Sequence, residues 1–216
     1  MALTTPPPDI TDTAEEGKLE ETAKAKAACQ ACIDLCKYIA RRKSTHTFDE
    51  PLMASVRLIT ASGTPGDPTA TPPVKPSAHA SCLLEFDIAS VYANPNEVVH
   101  GGAAALAFDT ATTLALAPIQ RPGYWDFMGG VSRTLNVSYL KAIPSGTKIR
   151  VRSWVVQHGR TTSLIRGQIE SVDGRTIYAT CEHHKIHVPV LQEHLNFREE
   201  MRAERRRLVA EEKAKL

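Results

Sequence analysis

An aspartate, Asp109, stands in the middle of a run that is otherwise almost wholly apolar, HGGAAALAFDTATTLALA over residues 100–117. A carboxylate in such surroundings is costly unless it is paired, neutralised or solvated in a pocket, because desolvation disfavours its charged form. Carboxylates of this kind are the usual material of general bases. The structural alternative is that Asp109 accepts hydrogen bonds from Thr112, Thr113 or Trp125. At the start of the same run, His100 precedes Gly101-Gly102. Two glycines there cost helix propensity and let another backbone or a ligand come close. The first N–H groups of a helix have no intrahelical partner and lie at the positive end of its dipole, where a developing oxyanion would be stabilised. The glycine pair equally suits a tight strand-to-helix turn. Asn94, in a Tyr-Ala-Asn-Pro-Asn loop, is either a turn residue or an amide that positions a water.

These residues need elements to hold them. A helix that is hydrophobic all round is normally buried, so residues 100–117 are expected to form a central helix wrapped by one antiparallel sheet of about six strands, an α+β arrangement. Strand patterns run over 53–62 and 83–90 before it, and over 131–140, 148–157, 161–172 and 175–188 after it. Asp173-Gly174 is a hairpin signal between the last two. Ser132 is expected on the polar face of its strand with Thr134, Asn136 and Ser138, alternating with Val131, Leu135 and Val137. Residues 63–77 are dense in Gly, Pro and Thr and read as a mobile loop. Outside this block, 1–13 is Pro/Thr-rich and expected to be disordered, and 14–43 reads as a helix docking through Leu19, Ala23, Cys29, Ile33, Cys36 and Ala40. Residues 198–216 read as a charged terminal helix. The organisation is therefore a leader with N-terminal helix over 1–50, one domain over 51–190 and a charged helix over 191–216.

Bulk properties exclude several function classes. The 26 basic and 24 acidic residues leave a formal charge of +2, far from a nucleic-acid surface. No apolar run reaches the roughly 20 residues of a membrane span, so none is expected. The five cysteines, Cys29, Cys32, Cys36, Cys82 and Cys181, have no apolar signal peptide ahead of them and suit a reducing compartment. The Cys29/Cys32 pair lacks a second ligand pair and reads as a packed helix face. Glu182, His183, His184 and His187 could suggest a metal, but strand alternation sends His183 and His184 to opposite faces, so a polar sheet edge is expected and no metal. Ala214-Lys215-Leu216 is close to the Ser-Lys-Leu peroxisomal address; the alternative is a cytoplasmic protein whose charged helix ends this way.

Asn94, then His100-Gly101-Gly102, then Asp109 resembles the signature of the PaaI-like and thioesterase-superfamily-member acyl-CoA thioesterases of the hotdog fold. The similarity continues through Gly130-Val131-Ser132, Asn136 to Tyr139, Pro144-Ser145-Gly146 and Gly159-Arg160-Thr161. Glu97 departs from it, since many members carry a glycine or small residue there. The resemblance implies a hotdog domain over 51–190 that hydrolyses an acyl-CoA to free acid and coenzyme A, with no cofactor beyond the coenzyme A of the substrate. It implies Asp109 as general base or nucleophile, the Gly101 amide polarising the carbonyl, and Asn94 and Ser132 orienting water, with His100 in the catalytic set. It further implies Gly102, Gly159, Arg160 and Thr161 at the substrate, with Arg150 or Arg152 assisting. The site would form between protomers of a homodimer or dimer of dimers. The eight residues from Gly101 to Asp109 span about 12 Å of helix, so one helix does not readily supply both. Rival readings are a hotdog hydratase or dehydratase using His100 with Asp109, and a non-catalytic acyl-thioester-binding subunit.

Overall fold

The computed structural model describes residues 16–42, 48–126 and 130–189, and scattered positions between 192 and 211. Three helices and six strands follow in the order α1 (Glu16–Arg42), α2 (Glu50–Ser55), β1 (Arg57–Ser62), β2 (Ser81–Asp87), α3 (Gly101–Leu114), β3 (Val131–Tyr139), β4 (Lys148–His158), β5 (Thr162–Ser171) and β6 (Ile177–Ile186). The expected disordered leader and the tripeptide 214–216 lie outside the described residues. The positions described between 192 and 211 are helical, as the charged pattern there suggests.

All six strands form one antiparallel sheet in the order β1-β2-β4-β5-β6-β3. Its inner face carries Leu84, Phe86, Ile149, Val151, Val155, Ile165 and Ile169, all buried, against Ala104, Ala107, Phe108 and Ala111 of α3. Burying each of the larger side chains contributes roughly 1.5–3 kcal/mol. Phe108 can lie this close to the sheet because position 167 has no side chain: a Cβ there would stand 2.8 Å from Cys181 Sγ and 2.9 Å from Phe108 Cδ1. The outer face is laced by ion pairs, Arg57 and Arg150 with Glu85, Arg152 with Glu170, and Arg166 with Glu182. Thus Arg150 and Arg152 are engaged by carboxylates on the sheet.

Several expectations need correction. The run 53–62 is not one strand: Pro51 at the first helical turn starts α2, and β1 begins only after the extended Val56. The docking face of α1 is Ala25, Cys29 and Ile33, spaced four apart, with Cys36 packed against the same core as expected, whereas Leu19 is 64% exposed and Ala23 is also exposed; the side chain of Ala40 lies outside the described residues. Burial pushes the Cys29 thiol upward and the Cys36 thiol up to about 12, in line with packing rather than redox use. The loop 63–77 is tied down: Asp67 and Val74 exchange backbone bonds of 2.8 Å, Thr64 N bonds Ser77 Oγ at 2.9 Å, and His158 Nε2 lies 2.8 Å from Ser77 O. The segment Gly101–Ile119, 19 residues of mean hydropathy 1.3, is long and apolar enough to cross a membrane, contrary to the expectation; 61% of it is buried inside the fold as its core helix.

Candidate active site

Asp109 sits where the sheet covers α3 only in part. The buried positions of the helix, Ala103, Ala104, Ala107, Phe108, Ala111, Thr112 and Leu114, leave Ala105, Leu106, Asp109, Thr110 and Thr113 half-covered. The Asp109 side chain is 44% exposed, so the all-apolar composition does not translate into an all-round burial. None of the expected partners holds it. Thr112 donates to Phe108 O at 2.6 Å, Thr113 accepts from Lys185 Nζ at 2.9 Å, and Trp125 Nε1 donates to Gly159 O at 2.9 Å. The partner of Asp109 is Ser132, whose hydroxyl donates to Oδ1 at 2.7 Å.

Ser132 reaches Asp109 by a route that alternation did not foresee. The β3–β6 pairing runs Ser132↔Lys185 and then Thr134↔His184, leaving Arg133 as an extra residue. This bulge moves Ser132 onto the face of Leu135 and Val137, toward α3, and away from that of Thr134, Asn136 and Ser138. Bulges commonly re-aim a side chain in this way beside active sites.

Two further polar side chains under α3 complete the cluster. His183 and Lys185 lie on the inner face of β6, 0% and 3% exposed. His183 Nε2 is 3.5 Å from Asp109 Oδ1, and its Nδ1 is 2.6 Å from Thr112 Oγ1. Burial, reinforced by the Lys185 charge and opposed by that of Asp109, pushes His183 from 6.5 down to about 4. Burial also lowers Lys185, again against the pull of Asp109. The expected split of His183 from His184 holds, with His184 exposed outward, but β6 is not an edge, because β3 covers its far side. Among the described residues no cluster suits a metal. Strand alternation puts His183 and Lys185 on one face with the buried Cys181. A basic pair on an apolar face is the signal that could have found them.

The other half of the expected set is at the opposite end of α3. His100 caps the helix by accepting the Gly102 amide on Nδ1 at 2.9 Å, which places its own proton on Nε2 and takes Gly102 out of use as a donor. Among the described residues nothing accepts from the amide of Gly101. A cleft of about 340 Å³ opens there between Val99, Gly101, Ala104, Tyr139 and Ile143. Tyr139 donates its hydroxyl to Gly101 O at 2.8 Å, and a Cβ on Gly101 would meet its ring at 3.2 Å, so this glycine has a packing reason as well. Asn94 is a turn residue: its Oδ1 accepts from Asn96 N and its carbonyl from Glu97 N, both at 2.9 Å. Glu97 holds φ 59°, the left-handed region that glycine enters freely. Gly159, Arg160 and Thr161 form the β4–β5 turn, where Thr161 O accepts His187 N at 2.8 Å just beyond the Lys185 end of β6, and Arg160 is exposed. The fold thus brings Asp109, Ser132, His183 and Lys185 together. It leaves Asn94, His100 and Gly101 two helical turns away.

Residues 96–178, which hold Gly101, Asp109 and Ser132 but not Asn94 or His183, match the family model of the thioesterase superfamily. The fold is similar to that of zebra fish thioesterase superfamily member 2, at 21% identity and a TM-score of 0.52, over 71% of this chain and 96% of that one. It is also similar to the PaaI protein of the phenylacetic acid degradation operon of E. coli, at 13% identity and a TM-score of 0.52, over 78% and 96% of the two chains. No curated protein matches the chain. Residues 96–178 are thus similar to the thioesterase superfamily, and the sheet around α3 is the hotdog fold that the resemblance read from Asn94 to Asp109 implied.

Proposed function

We propose that the protein is an acyl-CoA thioesterase in which Asp109 acts as general base on a water that attacks the thioester carbonyl. The observation that carries this reading is the half-exposed Asp109 carboxylate held by Ser132 at 2.7 Å with a buried imidazole behind it. Such a carboxylate is fixed by the protein on one side and open to a water on the other. A tetrahedral intermediate needs a donor for its oxyanion, and the unclaimed Gly101 amide at the helix N-terminus has the right chemistry. It lies about 12 Å from Asp109 along the axis, so the Gly101 that completes each site belongs to a second copy of the chain. Asn94 and His100 accompany Gly101. Arg160, exposed in the turn beyond Lys185, is available to coenzyme A phosphates.

The hydratase reading needs a His and a carboxylate on one substrate carbon. His100 is occupied as a helix cap away from Asp109, and His183, beside Asp109, is fully buried and cannot touch substrate. Hydrolysis is tested by free-thiol release from short, medium, long and aromatic acyl-CoA esters, with the parent beside Asp109→Asn. A loss on the order of 100-fold is expected for removal of a general base. Acyl-CoA binding without thiol release from the parent would replace the enzyme with a binding module. The shared site has its own test: Asp109→Asn and Asn94→Ala, each inactive alone, are expected to recover about a quarter of parental activity when co-refolded, because half of the dimers are mixed and one of their two sites is intact.

A further inference from the structure

We propose that Asp109 and His183 form a proton-sharing pair, in which Nε2 of His183 receives the proton that Asp109 removes from the attacking water. The proposal rests on the hydrolytic reading above. Its basis is the single hydroxyl proton of Thr112. Thr112 Oγ1 lies 2.6 Å from Phe108 O and 2.6 Å from His183 Nδ1. A carbonyl oxygen can only accept, so at this distance the hydroxyl proton belongs to the contact with Phe108. The bond to the ring then needs its proton from Nδ1, and a ring with one proton has a bare lone pair on Nε2. That atom is buried and has no hydrogen-bond partner among the described residues. It faces Asp109 Oδ1 at 3.5 Å, and Oδ1 already takes the Ser132 hydroxyl at 2.7 Å.

A lone pair opposed to a carboxylate in a buried setting is relieved by one proton between them. Of the titratable groups near the ring, α3 contributes Asp109, while β6 contributes Lys185 and Cys181 on the same face and His184 on the other. From β3 the ring is paired with Leu135 and from β5 with Ile165, neither titratable. Burial and Lys185 hold the ring at about 4, so it is neutral at rest.

In the reaction, an O–H bond of the water breaks as its oxygen bonds the carbonyl carbon, and the proton goes to Asp109 and on to Nε2. When the C–S bond breaks, the proton returns through Asp109 to the thiolate sulfur, leaving free acid and thiol. His183 acts through Asp109 and is a positioning residue for the proton, not a group that meets substrate.

Histidine-selective ¹⁵N NMR of the full chain at neutral pH reads the tautomer without substrate. Nδ1–H is expected for His183, and Nε2–H overturns the pair. His183→Gln keeps an amide that can donate to Asp109 but cannot take up a proton. We expect kcat to fall about tenfold, a fraction of the roughly 10²–10⁴ of general acid–base catalysis, with KM unchanged and the acid limb of the kcat profile displaced. Parental kcat and profile in this variant also overturn the pair while leaving hydrolysis intact. Absence of thiol release from the parent overturns the hydrolytic reading, and the pair with it.

Discussion

Removing the Ser132 hydroxyl tests the geometry of the cluster most directly. In Ser132→Ala, Asp109 Oδ1 loses the donor that stands 2.7 Å away. A hydrogen bond to a charged group contributes about 1.5–3 kcal/mol, and about 1.4 kcal/mol is tenfold in rate. Ser132 is exposed and the Asp109 side chain is 44% exposed, so water can replace part of the bond. That places the expected loss of kcat at the lower end, about tenfold. Stability should hardly move, since truncation of an exposed side chain is usually worth within about 0.5 kcal/mol. The assay is thiol release at saturating acyl-CoA, with a thermal melt of each variant. Because the hydroxyl acts only through the carboxylate, Ser132→Ala added to Asp109→Asn should cost nothing beyond Asp109→Asn alone. A kcat for Ser132→Ala equal to the parent at an unchanged Tm would refute this reasoning, and so would additive losses in the double variant.

Other perturbations reach the frame around the site. Glu97→Gly relieves a left-handed backbone at φ 59° and should stabilise by about 1 kcal/mol, read as a rise in Tm. Gly167→Ala drives a methyl to 2.8 Å from Cys181 Sγ and should destabilise by about 1–3 kcal/mol, a loss that chemical denaturation measures. Because folding lowers His183 from 6.5 to about 4, the unfolded chain binds the proton first; stability is therefore lost as pH falls from 6.5 toward 4, and His183→Gln should flatten the fall in Tm over that window. Burial raises the thiols of Cys29, Cys82 and Cys181, so a thiol reagent at pH 8 should titrate them only after denaturation; reaction in the native protein would contradict their burial.

The architecture was legible in the sequence to the extent that it rests on local patterns. Alternation placed β3 to β6 within two residues of their observed ends, and Asp173-Gly174 marked the β5–β6 turn, where Gly174 takes φ 72°. The apolar run identified the central helix and placed its start at His100, which proves to be its cap. The same logic failed at β1, where Pro51 opens a helical turn inside what reads as a β-rich run.

What the sequence determined by itself is the set of elements and the chemical types in them: an acid on an apolar helix, a serine early in a strand, two basic residues alternating on another. Which of these meet was decided only by the tertiary structure. Ser132 reaches Asp109 because one extra residue, Arg133, changes the face on which the strand presents it, and a bulge depends on the partner strand rather than on local propensity. His183 lies under Asp109 because it stands on the inner face of β6, which the sheet holds between β5 and β3. Asp109 remains half-open because Ser132 of β3 and His183 of β6 meet its carboxylate while 44% of the side chain stays exposed. Pairing, register and burial are long-range, and no periodicity within a segment encodes them.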